Sequence, residues 1–271
     1  MSHQAIIADD IVLKIEGLSI AFGGLKAVDN LNFQIREKEV FGLIGPNGAG
    51  KTTAFNCITQ FYKPNHGKIY FRDKNNNVTN LIDHQVHEVI KLGLVRTFQN
   101  VELIRELSIL DNVLIGAHIN FKSNLFAQAL KLPKAVKEEN DLRNEAIEVL
   151  HFLGIENRKD LPAGGQPYGI LKKVELARTL MCRPKLIILD EPAAGLNDVE
   201  TVQLAQTIRT IRDRYNCSIL LVEHDMRLVM DVCDQICAIS FGKFLAVGTP
   251  KEIRKNKDVQ TAYLGTEDDE T

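Results

Sequence analysis

The spacing of hydrophobic and polar residues changes along this chain, and each change marks a different kind of element. IVLKIEGLSIAF at 11–22 and AVDNLNFQIRE at 27–37 alternate apolar with polar and are rich in β-branched residues and Phe. That is the period-two pattern of half-buried strands. VFGLIG at 40–45 is instead a short apolar run ending in glycine, and helical spacing follows its glycines. The pattern predicts a strand, a Gly-rich turn and a helix. GKIYFRD at 67–73 predicts another strand, and DKNNNVTN at 73–80 an exposed polar turn.

Residues 100–182 read differently: charged, helix-forming and poor in β-branched residues, as in the stretch 126–155, where Pro133 predicts a break. The strand pattern then returns. KLIILDEP at 185–192 and CSILLVEHD at 217–225 are apolar runs of the fully buried, parallel-sheet kind. Between them, 201–215 predicts a helix with Val202, Ala205, Ile208 and Ile211 on its apolar face. The pattern therefore predicts one α/β core interrupted by a helical block, not two tandem domains.

Composition narrows the possibilities. The chain has 271 residues, 45% hydrophobic and 25% charged, with a net charge of −2. That is ordinary globular usage, without a global positive field for nucleic acid or anionic lipid. No run of about 18 apolar residues is long enough to cross a bilayer, and the first residues predict no secretory signal. Cys57, Cys182, Cys217, Cys233 and Cys237 are odd in number and lack metal-ligand spacing. They read as reduced core thiols.

Candidate chemistry sits at the ends of the apolar runs. Residues 45–52, GPNGAGKT, match G-x-x-x-x-G-K-[ST] with a strand before and a helix after. Wrapping a polyphosphate requires exposed backbone N–H groups and a tight turn, hence glycines, and the helix N-terminus adds favourable charge. Lys51 then suits the β- and γ-phosphates and the Thr52 hydroxyl suits Mg²⁺. LIILDE at 186–191 ends a strand with two carboxylates, Asp190 for Mg²⁺ and Glu191 to polarise an attacking water. LLVEHD at 220–225 ends another with His224, placed to contact the γ-phosphate or align the water.

From about residue 11 to 265 this set resembles the nucleotide-binding subunit of an ATP-binding-cassette (ABC) transporter. The resemblance implies an α/β P-loop NTPase fold of the ABC type: a RecA-like core, an N-terminal antiparallel β subdomain and an inserted α-helical subdomain. The whole chain would form a single ATP-binding domain. Its core and β subdomain would span about 10–98 and 184–265, its helical subdomain about 99–183 and an acidic tail 266–271. ATP and Mg²⁺ are the implied ligands. Phe22, before the GG of AFGG, matches the aromatic that stacks on adenine. Gly45, Pro46, Asn47, Gly48, Ala49, Gly50, Lys51, Thr52 and Thr53 match the residues that hold the phosphates. Gln99 in VRTFQN matches the Gln that links Mg²⁺ and the γ-phosphate to the helical subdomain. AAGLN at 193–197 matches the loop that touches a partner subunit.

The family's signature peptide, usually LSGGQ, falls within 161–180. Gly169 lies 21 residues before Asp190, the family's spacing, whereas Gly165 lies 25 before it. The signature is thus Gln166-Pro167-Tyr168-Gly169-Ile170, and Tyr168 and Gly169 would meet the nucleotide held by a partner. Pro167 replaces the usual Ser and Ile170 the usual Gln, so two phosphate contacts are missing. In a head-to-tail sandwich that defect falls on the partner's site. The resemblance therefore favours a heterodimer with a second, non-identical ABC subunit over a homodimer. AFGGLKAVDN (21–30), LGLVRTFQNVELIRELSILDNVLIGAH (92–118), VEHDMRLVMDVCD (222–234), VGTPKEI (247–253) and VQTAYLG (259–265) resemble most closely the ATP-binding subunits of branched-chain amino acid importers. That branch implies an ATPase at the cytoplasmic face of the membrane, two integral membrane permeases, indirectly a solute-binding protein, and no nucleic acid. The permease contact would lie around Gln99 to Asn112, where Val101, Leu103, Ile104, Leu107 and Ile109 serve either that contact or the subdomain core. The alternatives are an ATPase of lipopolysaccharide export, a soluble cassette ATPase and a nucleotide-binding regulator without turnover.

Overall fold

The computed structural model describes residues 7–97, 102–120 and 132–264. The chain divides into two compact units, residues 1–96 with 185–271 and residues 97–184.

The first unit holds two sheets. The alternating segments form β1 (Ile11–Phe22) and β2 (Leu25–Arg36), which pair antiparallel, and β4 (His66–Arg72) pairs on the other side of β1. The polar stretch after β4 forms the expected exposed turn at 74–77, but its two ends depart from that expectation. Asp73 is buried, and its carboxylate accepts the Asn75 and Asn77 backbone N–H groups at 2.7 and 2.9 Å. The turn so made returns the chain as β5 (Val78–Asn80) along β4. The sheet order is β2-β1-β4-β5.

The wholly apolar runs build the second sheet. It contains β3 (Val40–Ile44), β6 (Leu94–Arg96), β7 (Leu186–Asp190), β8 (Ser218–Val222), β9 (Gln235–Ser240) and β10 (Lys243–Gly248) in the order β10-β9-β3-β8-β7-β6. All neighbours are parallel except the β9–β10 hairpin. Every residue of β3, β7 and β8 is buried, which is why these strands carry no polar alternation. One core joins the sheets, with Leu13, Leu31 and Phe71 from the first and Phe41, Ile188 and Leu220 from the second. Helix α1 (Lys51–Ile58) buries Phe55 in the same core. All five cysteines are free and buried, and among the described residues no helix is long and apolar enough to cross a membrane.

The predicted helix around 201–215 starts earlier, at Asp198, and runs to Tyr215. Asn197 caps it, accepting the Glu200 N–H, while the Glu200 carboxylate accepts the Asn197 N–H. Ala205, Ile208 and Ile211 are buried as expected, but Val202 is 59% exposed and leaves the predicted face.

The second unit is helical in its described part. The helices Ile109–Ala117, Pro133–Phe152 and Tyr168–Leu180 pack on one another. Pro133 opens the long helix at its first turn, where a missing N–H costs nothing. Asn112 is fully buried; its side chain donates to the Ile104 and Ser108 carbonyls and accepts the Ile104 N–H, at 2.9 to 3.0 Å. It thereby fixes the loop that leads into the helices. Of the apolar residues left between two roles, Ile109 is core, Leu103 and Leu107 are half-buried and Ile104 is exposed; Val101 lies outside the described residues.

Candidate functional site

The strands β3, β8 and β7 are parallel neighbours. Their C-terminal ends therefore emerge together, which is where open α/β sheets bind ligands. The three ends carry the segments singled out in the sequence: Gly45–Thr53 after β3, Asp190 and Glu191 at the end of β7, and Glu223 and His224 after β8.

The loop after β3 turns tightly into α1. The Ala49 N–H donates to the Pro46 carbonyl at 3.1 Å. Gly50, the residue before the helix, has φ 98°, and a Cβ there would lie 2.4 Å from the Ala27 carbonyl oxygen. No other residue type fits that position. The Lys51 ammonium is buried and donates to the carbonyls of Gly45 at 2.7 Å and Pro46 at 3.1 Å. Burial holds its pKa below the ordinary lysine value, against the attraction of Glu191, Glu223 and Asp190. A bound anion would compete with those carbonyls for the ammonium. Beside the loop lies a cavity of about 410 Å³, walled by residues 47–53, Glu191, Leu25, Lys26, Ala27 and Phe241.

The carboxylates differ in setting. Asp190 is buried, and burial pushes it up to about 6; Arg96 opposes that rise, while Glu191 and Glu223 add to it. Arg96 is fixed in turn, its guanidinium 4.8 Å from the Phe55 and the Phe61 ring centroids and bonded to the Asn56 side chain at 2.9 Å. Glu191 sits in the left-handed region at φ 46°, with its N–H donating to the Val222 carbonyl at 2.8 Å. The turn directs the chain away from β7 and leaves its side chain partly exposed on the cavity wall. The His224 Nδ1 lies 3.8 Å from Glu191 Oε1 and 3.7 Å from Glu223 Oε2.

Glu223 is a site residue that the sequence reading passed over. It is fully buried, and its carboxylate accepts three backbone N–H groups, of Ala193 and His224 at 2.8 Å and of Asp225 at 3.1 Å. It thereby ties the loop after Glu191 to the segment carrying His224. An acid ending an apolar strand, just before the histidine, was the available signal.

The other expected residues fall elsewhere. Phe22 ends β1, half-exposed and edge-on to Tyr62 with centroids 5.3 Å apart, so it is not a core strand residue. Tyr168 and Gly169 open a helix of the second unit, preceded by Pro167, which offers no side-chain cap. Gln99 lies outside the described residues. Among the described residues no cluster of three His, Cys, Asp or Glu side chains could hold a metal by itself. The donors present at the site, the Thr52 hydroxyl and the Asp190 carboxylate, are hard oxygens that suit Mg²⁺ carried in with phosphates.

Comparison with known proteins finds matches over most of the chain. Residues 28–194 match the family described as ABC transporter, and residues 245–269 match one described as branched-chain amino acid ATP-binding cassette transporter. The chain is 42% identical to the high-affinity branched-chain amino acid transport ATP-binding protein LivG of Escherichia coli over 254 residues, 94% of this chain and 98% of that protein. It is equally similar to the corresponding protein BraF of Pseudomonas aeruginosa, with the same coverage of both chains. Among solved structures it is similar to the ADP conformation of an ATP-binding cassette of an ABC transporter, with a TM-score of 0.80, 29% identity and coverage of 94% and 99%. A nucleotide-free cassette gives 0.79, 29%, 94% and 100%.

Proposed function

The chain belongs to the ABC transporter family, and from that premise we propose that it is the ATP-binding and ATP-hydrolysing subunit of an importer for branched-chain amino acids. The observation that carries the reading is the convergence of the buried Lys51, the Gly45–Thr53 loop, Asp190, Glu191 and His224 at three adjacent strand ends. The amino acid assignment draws on the LivG and BraF relatives and on residues 245–269.

Each residue has a role in this reading. The N–H groups of the loop and the N-terminus of α1 hold the phosphates, and Lys51 leaves the Gly45 and Pro46 carbonyls to meet the β- and γ-phosphates. Thr52 and Asp190, with Gln99, would hold Mg²⁺, which would neutralise phosphate charge there. Phe22 stacks on the adenine. Glu191 takes a proton from the attacking water, a role worth about 10²–10⁴-fold in rate. His224 orients that water and the γ-phosphate, and Glu223 positions both loops.

The chain works as one ATP-binding domain, with residues 99–183 as its helical subdomain. It acts with two membrane permeases at the cytoplasmic face of the membrane. A second, non-identical cassette completes the sandwich, since the Pro167 that precedes Tyr168 has neither an N–H nor a hydroxyl for a partner's phosphate. Tagged chain pulled down from detergent-solubilised membranes is expected to bring two different integral membrane subunits and a second cassette. Recovery of the chain alone, or with soluble proteins only, contradicts the transporter assembly.

A further inference from the structure

The strands β9 and β10 are joined by a hairpin in which Ser240 pairs with Lys243, leaving Phe241 and Gly242 as the loop. Both have positive φ, 46° and 75°. Hairpins of this two-residue kind with left-handed residues at both positions favour Asn-Gly or Asp-Gly, because a bulky side chain resists that backbone region. Gly242 meets the rule, since a Cβ there would lie 2.6 Å from the Ala27 carbonyl oxygen. Phe241 violates it. Nor does core packing account for the ring, which is 87% exposed.

Neither local conformation nor burial within the chain explains Phe241, and a strained residue held by its surroundings is a pointer to function. The surroundings hold it firmly. The Gly242 N–H donates to the Ala49 carbonyl of the phosphate loop at 2.9 Å, and the Gly242 carbonyl accepts the Asp29 N–H at 2.8 Å. The turn is thus bolted to the phosphate loop on one side and to β2 on the other. Phe241 stands on the wall of the 410 Å³ cavity, together with Leu25 and Ala27. These apolar groups line the same cavity as Lys51 and Thr52, so the cavity has a phosphate-binding part and an apolar part.

We propose that Phe241 is a nucleotide-contacting residue whose ring packs against the nucleoside part of the ligand bound at Lys51. The inference rests on the nucleotide-binding reading above. It adds a hairpin side chain to the phosphate grip made by the loop and to the Phe22 stack on the adenine.

The test uses the full-length chain, with equilibrium binding of ATP and of inorganic tripolyphosphate, and thermal melts without ligand. Phe241→Asn suits the turn better than Phe, so the variant is expected to melt no lower than wild type. Its Kd for ATP is expected to rise by about fivefold, the scale of one aromatic contact, with tripolyphosphate binding unchanged. Phe241→Tyr is expected to bind ATP as wild type does. Unchanged ATP affinity in Phe241→Asn overturns the inference, as does an equal loss for both ligands, which would mean that the turn acts only by shaping the phosphate loop. Intact ATP binding with a loss confined to association of two cassettes also overturns it and assigns the ring to the second subunit. A wild-type chain that binds tripolyphosphate but not ATP sinks the nucleotide reading itself, and one that binds neither sinks both.

Discussion

The chain has two helix N-termini that the proposed function turns toward nucleotide: the phosphate loop into Lys51, and the turn into Tyr168. They are built on opposite terms. At the first, every constraint converges. Gly50 leaves no room for a Cβ beside the Ala27 carbonyl, Lys51 is buried, and the acidic strand ends lie close by. At the second, the residue before the helix is a proline with no capping side chain, and Tyr168 is exposed. In the proposed assembly this difference separates the two sites: the first element serves the chain's own nucleotide and the second the partner's.

The largest expected break falls on the first element. Lys51→Ala removes the buried charge proposed to meet the phosphates, and should weaken ATP binding by about 10³-fold, read by equilibrium titration. Next comes the stability held back at the site. Asp190 has its carboxyl raised from 3.8 to about 6 by burial. Between those values the folded chain binds more protons than the unfolded one, so this residue's contribution to stability falls as pH rises from about 4 to about 6. Asp190→Asn should therefore stabilise the nucleotide-free chain by something of order 2–3 kcal/mol at pH 7.5, with the gain fading toward pH 4. Melts in EDTA across that range would show it, and a gain that persists at pH 4 would contradict the assignment.

The second unit has its own fixed point. Asn112→Ala removes a fully buried side chain with its bonds to the Ile104 N–H and the Ile104 and Ser108 carbonyls, and should cost about 2 kcal/mol, measured by urea unfolding. The smallest effect sharpens the comparison most. Pro167→Ser with Ile170→Gln should raise stability by about 1 kcal/mol through a helix cap. It should also raise ATP turnover of the assembled complex; unchanged turnover would mean that the relaxed turn is not what separates the two sites.

Much of this was legible before the structure. The buried strands and the phosphate loop announce themselves because burial on both faces demands unbroken apolar runs and a tight turn demands glycine. Three features were hidden for identifiable reasons. The strand Val78–Asn80 is an edge strand held by backbone pairing to β4, and no hydrophobic pattern marks it. Val202 fits the helical spacing, but lies a turn before the buried stripe begins at Ala205 and stays mostly exposed. Glu223 looks like one more strand-end acid; its role depends on Ala193, which sequence separates from it by 30 residues and the β7–β8 pairing brings close.

The most direct test of the central claim is the ATPase rate of the assembled complex with Glu191→Gln, with ATP binding measured alongside. The account predicts that binding is retained while turnover at this chain's site falls by about 10²-fold or more. Unchanged turnover in the complex would contradict it, since Glu191 would then not be the base.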